Sequence, residues 1–124
     1  MDKVEEMLKA KTWAVVGATD NKGKFGYKIF KFMVEHGYQV YPVNPGIKEV
    51  YGRTCYESLA ALPVTVEAVD VVVPPRIGEQ VIKDCAALGI KNVWLQPGAD
   101  AASVVKAAEE LQLTVVTDCI MVRG

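Results

Sequence analysis

The segment Thr12–Gly26, T-W-A-V-V-G-A-T-D-N-K-G-K-F-G, narrows the possible folds more than any other part of the chain. Trp13 to Val16 is a short apolar run of β-formers, Gly17 ends it, and Gly26 opens a segment with helical spacing. Strand, glycine loop and helix form the opening unit of a doubly wound α/β sheet. Glycine lets the backbone approach an anion closely. The next helix presents free N–H groups and the positive end of its dipole. The tight G-x-G-x-x-G fingerprint is not met, because Ala18 follows Gly17 and the next glycines are Gly23 and Gly26. A plain strand-to-helix turn is the other reading of the same residues.

The same alternation continues along the chain. Val4, Met7 and Leu8 sit at helical spacing behind Asp2, a potential N-cap. Phe25, Ile29, Phe32, Met33 and His36 are expected on the inner face of a helix from Gly26 to His36, with Gly37 as its stop. His36, the sole histidine, falls at the helix end away from the glycine loop, where a cation suits the dipole. Tyr38 to Val43 reads as strand two, with Pro42 near an edge or a strand end because it cannot donate. Asn44-Pro45-Gly46 is a turn. Val50 to Thr54 reads as a loop or an extended segment, and Tyr56 to Leu62 as a short helix stopped by Pro63.

Ala68 to Val73 is strand three, and its valines fit a parallel strand buried on both faces. Asp70 interrupts them and is expected near the strand's start, partly solvated. Pro74-Pro75 then serves either as a rigid apolar wall for a flat ring or as a helix start. The next helix, Arg76 to Leu88, would turn Ile77, Val81, Cys85 and Leu88 inward, with Gly89 as its stop. Asn92 to Leu95 is strand four, with Trp94 in the core. Gln96 at its end can hydrogen-bond a ligand. Asp100 is placed as N-cap of a helix over 101–111 that buries Val104, Val105, Ala108 and Leu111. Leu113 to Thr117 is strand five. The expected fold is therefore α/β: a doubly wound, mainly parallel five-stranded sheet with helices on both faces, as one domain over residues 1–124.

NAD-binding sheets usually carry Asp or Glu at the end of strand two, bonding the ribose. Here Asn44 stands there, with Glu49 beyond the turn and Lys48 and Arg53 as basic neighbours. That argues against NAD. Lys48 suits a phosphate on the ribose, or is a solvated loop lysine. Fourteen basic against fifteen acidic side chains give no general attraction to nucleic acid or acidic membranes. No apolar run reaches membrane-spanning length, and the alternating charges of residues 1–11 are unlike a signal peptide. Cys55, Cys85 and Cys119 are odd in number and widely spaced, which argues against a metal cluster or disulfide framework and for the cytoplasm. Cys119 falls at the ligand end of the sheet without an adjacent histidine, so a packed or ligand-facing thiol is preferred to a nucleophile.

In order along the chain stand V-V-G-A-T at 15–19, K-F-G at 24–26, Y-P-V-N-P at 41–45 and Y-G-R-T-C-Y-E-S-L at 51–59. V-D-V-V-V-P-P at 69–75, V-W-L-Q-P-G-A at 93–99 and D-C-I-M at 118–121 follow. With these motifs the chain resembles the CoA-binding domain family, in particular its small free-standing bacterial members. This Rossmann-like module also opens the succinyl-CoA synthetase α subunit. The resemblance covers about residues 10 to 121 and implies a coenzyme A site at the carboxyl ends of the strands. It implies that Gly17, Ala18, Thr19 and Asp20, with Lys24 and Gly26 of the K-F-G motif, form the phosphate loop. Asn44, Pro45 and Lys48 would flank the nucleotide end. Val73, Pro74 and Pro75 would wall the adenine, and Gln96, Pro97 and Gly98 would approach it from the fourth loop. The synthetase's acyl-phosphate chemistry uses a phosphohistidine in a second domain, and His36 matches nothing of that kind.

The expectation is thus a binder of coenzyme A or acyl-CoA, non-catalytic or regulatory, with no metal site and no nucleic-acid or membrane partner. A homodimer or a protein partner stays open. A nicotinamide-dependent enzyme and a nucleotide-sensing interaction module are the competing readings.

Overall fold

A computed structural model describes residues 2–123. The helices are α1 (Lys3–Leu8), α2 (Phe25–Glu35), α3 (Pro75–Ala87), α4 (Ala102–Glu110) and α5 (Ile120–Arg123). The strands are β1 (Thr12–Val16), β2 (Gln39–Val43), β3 (Glu49–Val50), β4 (Arg53–Thr54), β5 (Ala68–Val71), β6 (Asn92–Leu95) and β7 (Thr114–Thr117). The main sheet has the order β2-β1-β5-β6-β7, and every pairing in it is parallel. The α/β doubly wound fold expected from the sequence is the fold observed.

The strand period of two sorts side chains onto the two faces. Trp13 and Val15 share one face with Ala68, Trp94 and Val116, under Ile29, Phe30 and Met33 of α2 and Ile120 of α5. Ala14 and Val16 share the other with Val69, Val71, Val93, Leu95 and Val115, under Val81, Ile82 and Cys85 of α3 and Val104 and Ala108 of α4. Each large side chain so buried contributes roughly 1.5–3 kcal/mol. Both tryptophans are fully buried, edge to face at 6.2 Å. Their indole N–H groups donate to the Ala10 carbonyl at 3.0 Å and the Asp118 carbonyl at 2.7 Å. The second bond ties β6 to the end of β7. β2 is an edge strand, as Pro42 requires. Tyr56 N–H donates to the Pro42 carbonyl at 3.0 Å, so the missing proline N–H points off the sheet's edge.

Several local expectations are corrected. The inner face of α2 is Gly26, Ile29, Phe30 and Met33, whereas Phe25 is 63% exposed and His36 is exposed. The inner face of α3 is Gly78, Val81, Ile82 and Cys85, with Ile77 and Leu88 exposed. In both helices a glycine occupies the first buried position, and a stripe drawn through apolar side chains alone is rotated past it. Gly78 leaves room for Val104 of α4, whose methyls lie 3.5 and 3.6 Å from where a Cβ would stand. Leu111 is exposed beyond α4. Residues 50–54, read as a loop or an extended segment, take the extended form: with Glu49 they make the β3–β4 hairpin, turned by Tyr51 and Gly52 with φ of 50° and 74°. The helix expected over 56–62 is only a 3-10 turn, Leu59–Ala61. Asp2 does cap α1, but Asp100 does not cap α4: its carboxylate accepts from Gly98 N–H at 3.2 Å and shapes the preceding loop. No helix of the described residues is long and apolar enough to cross a membrane.

Candidate functional site

From β1 the chain moves outward to β2, then crosses back to β5 on the other side of β1. The loops leaving β1 and β5 therefore diverge, and a crevice opens at their carboxyl ends. A cleft of about 760 Å³ lies there. Gly17, Thr19 and Gly23 to Gly26 line one side, Val72 to Pro75 the other, and Gln96 to Ala99 with Cys119 the end toward β7.

Two glycines set its shape. Gly17 has φ +101°, and a Cβ there would stand 2.9 Å from a Val73 methyl and 3.0 Å from the Val72 carbonyl carbon. A Cβ on Gly26 would collide with the Gly17 carbonyl oxygen. Hence the first turn of α2 presses directly on the loop after β1. That turn has no side-chain cap. Its leading amides are free for an anion, and the helix dipole adds to their pull. Lys24 occupies the N-cap position, exposed and lining the cleft. α3 begins at Pro75 and likewise lacks a side-chain cap.

The loop after β2 braces this arrangement. The Asn44 amide donates to the Ala18 carbonyl at 2.9 Å, and its oxygen accepts from Gly46 N–H at 3.0 Å. The residue at the usual ribose-binding position is thus engaged within the protein. The opposite wall, Val72 to Pro75, is apolar, and Ile29 of α2 and Ala99 add further apolar lining. Phe25 stands at the mouth, 63% exposed, with the Lys28 ammonium 5.7 Å from its ring centre.

Of the residues singled out from the sequence, the cleft brings together Gly17, Thr19, Lys24, Gly26, Asn44, Val73, Pro74, Pro75, Gln96, Pro97 and Gly98. Ala18, Asp20, Pro45 and Lys48 lie outside its lining. Ala18 is buried behind the loop, while Asp20, Pro45 and Lys48 are exposed. Gly23, Phe25, Ile29, Val72 and Ala99 line the cleft without having been singled out as site residues. Phe25 was legible in the K-F-G motif, but helical spacing assigned it to the core.

Gln96 and Asp70 behave differently from expectation. Asp70 is fully buried in mid-strand rather than partly solvated. Its two carboxylate oxygens accept from the Gln96 amide at 2.8 and 2.9 Å. The Gln96 oxygen accepts from Ile120 N–H at 3.3 Å. Gln96 floors the cleft, but its amide is committed to the protein. Burial pushes the Asp70 carboxyl up to about 7, against the opposing pull of the Gln96 hydrogen bond.

Cys119 lines the cleft, half-buried. Burial, with Asp84 adding to it, pushes the Cys85 thiol up to about 12. Burial also raises Cys55. Next to Cys119, Asp118 accepts from the Arg123 guanidinium at 2.8 Å, and this holds its carboxyl below the usual range. Among the described residues no three His, Cys, Asp or Glu side chains converge as a metal site would need.

Residues 11–124 match the family described as the CoA binding domain. The α subunit of ADP-forming acetate–CoA ligase I from Pyrococcus furiosus is 38% identical over 96 residues, 73% of this chain. The chain spans only 21% of that subunit's length. An uncharacterized protein of Bacillus subtilis, YneT, is 29% identical over 97% of this chain and 90% of its own. Among solved structures, a hypothetical protein from Pyrococcus horikoshii OT3 superposes with a TM-score of 0.91 at 35% identity, over 97% of this chain and 86% of its own.

Proposed function

This chain belongs to the CoA-binding domain family, and from that premise we propose that its cleft binds coenzyme A or an acyl-CoA and holds it without transforming it. The observation that carries this reading is the pairing of an anion seat with an apolar wall across one crevice. The uncapped first turn of α2 and Lys24 face Val72, Val73, Pro74 and Pro75. In this reading the pyrophosphate sits on the α2 amides with Lys24 balancing its charge. The adenine ring packs on the valine–proline wall, and the pantetheine arm runs along the floor toward Cys119.

The non-catalytic part of the reading draws on the lining itself. Its titratable side chains are Lys24 and Cys119, which offer no paired acid and base. Acetate–CoA ligase is the name of a much longer relative. We assign this chain only the CoA-holding part of such chemistry.

Thermal unfolding with CoA, acetyl-CoA, dephospho-CoA, NAD and NADP tests the reading. A ligand present at about a hundred times its dissociation constant stabilises the fold by roughly 2.7 kcal/mol. A shift with CoA or acetyl-CoA is expected. No shift with either, beside a clear one with NAD, rejects it. Release of free thiol from acetyl-CoA in the presence of the protein would reject the non-catalytic part alone.

A further inference from the structure

The buried Asp70–Gln96 pair has a polarity that fixes one arrangement and forbids another. An ionised Asp70 only accepts, and its two oxygens share an N–H of the Gln96 amide, at 2.8 and 2.9 Å from the nitrogen. The amide oxygen is thereby turned toward Ile120 N–H, the first amide of α5. Among the described residues, no other polar side chain bonds the carboxylate. Val15 and Trp94 flank it in register. Ile29, Phe30, Met33 and Ile120 share that face from α2 and α5. The charged side chains of the helices on this face, Lys3, Glu5 and Glu6 of α1, Lys28, Lys31 and Glu35 of α2 and Arg123 of α5, are exposed. Burial raises the Asp70 carboxyl, and the Gln96 hydrogen bond opposes that rise. Cys119 is the titratable group adjoining Ile120 in the chain.

Protonation changes the pairing. A protonated Asp70 carries an O–H that needs an acceptor, and its side-chain partner, Gln96, carries an amide oxygen that can serve. To offer it, the amide must turn over, which points its N–H₂ at the Ile120 N–H. Two donors then face each other, and the tie to α5 is lost.

We propose that Asp70 is a positioning residue: its protonation reverses the Gln96 amide, frees the start of α5 beside the cleft-lining Cys119, and so makes ligand affinity depend on pH. The affinity half of this proposal rests on the CoA reading above; the amide reversal does not.

The ligand-free test is the ¹⁵N resonance of the Ile120 backbone amide, followed in the wild-type chain from about pH 6 to about pH 8. It should titrate with a midpoint at about 7, and the titration should vanish in Asp70→Asn. Gln96→Met, which fills space without an amide, should abolish it too and serves where Asp70→Asn does not fold. A flat Ile120 resonance in the wild type, or the same titration in either variant, overturns the proposal. The affinity arm uses dephospho-CoA, which lacks the phosphate monoester that itself ionises at about pH 6. Binding should weaken about fivefold on the acid side, the worth of one hydrogen bond, and be flat in Asp70→Asn. A flat wild-type affinity beside a titrating Ile120 overturns the coupling. If no CoA ligand binds at any pH while Ile120 titrates, the CoA reading fails and the positioning role stands.

Discussion

Gly26 lies so close beneath Gly17 that the side-chain carbon it lacks would overlap the Gly17 carbonyl oxygen. The strand-to-helix loop and the first turn of α2 are therefore one packed unit, and the candidate anion seat is part of the core's geometry. Replacing Gly26 with alanine must move backbone, because no flexible side chain can yield. Gly26→Ala should destabilise the protein at the upper end of roughly 1–3 kcal/mol, read from urea unfolding. It should also weaken CoA binding, since the α2 amides shift with the loop. Wild-type stability in this variant would mean that loop and helix are not held in contact.

Lys24 is exposed at the N-cap of α2 and makes no ion pair among the described residues. Its loss should leave stability nearly unchanged. Lys24→Ala should weaken CoA about tenfold, within the range for a charge-assisted contact. The deficit should shrink as salt is raised, because exposed charges are screened. Calorimetric titration at low and high ionic strength measures both. An affinity equal to wild type at low salt would remove Lys24 from the site.

Cys119 borders the cleft, while Cys55 and Cys85 are buried with thiols that burial holds protonated. A thiol-reactive dye should therefore modify Cys119 first in the native chain, because the thiolate is the reactive form. CoA should slow that reaction, and Cys119→Ser should abolish the fast phase. Fast labelling at Cys55 or Cys85, identified by peptide mass, would contradict the assigned burial. Labelling of Cys119 at the same rate with and without CoA would place the ligand elsewhere.

Asp70 binds its proton more tightly folded than unfolded, with its value raised from 3.8 to about 7. Between those values the native state holds a proton that the unfolded chain has released, so stability falls as pH rises. The stabilising contribution is complete below the unfolded value and lost as pH passes through about 7. A tenfold change in proton affinity between the two states is worth about 1.4 kcal/mol. Urea unfolding of the wild type should show a lower midpoint at about pH 8 than at about pH 6, and Asp70→Asn should show a much smaller change. A wild-type midpoint that rises over this interval would contradict the raised Asp70 carboxyl.

The chain's local grammar was sufficient for its architecture. Valine-rich runs ended by glycine or proline, and helical segments ended by Gly37 and Gly89, specify alternating strands and helices. That alternation points to a parallel main sheet covered on both faces, which the chain has beside the small β3–β4 hairpin. It also places the ligand end of the sheet, so the loops at Gly17, Pro74 and Gln96 were legible as walls of one cleft. These features depend on neighbours a few residues apart, and the sequence states them directly.

What the tertiary structure alone decided involves residues brought together from afar or sorted between core and surface. The valines around Asp70 mark a buried strand, but nothing local shows what would satisfy a carboxyl sealed there. Its partner Gln96 is 26 positions away and becomes a neighbour only when β5 pairs with β6. Likewise Phe25 reads as core by spacing, yet stands at the cleft mouth because Gly26 lets the backbone of α2 take the buried place. Periodicity records which side chains are apolar. Burial is settled by which backbones can touch, and that follows from the packing of the whole chain.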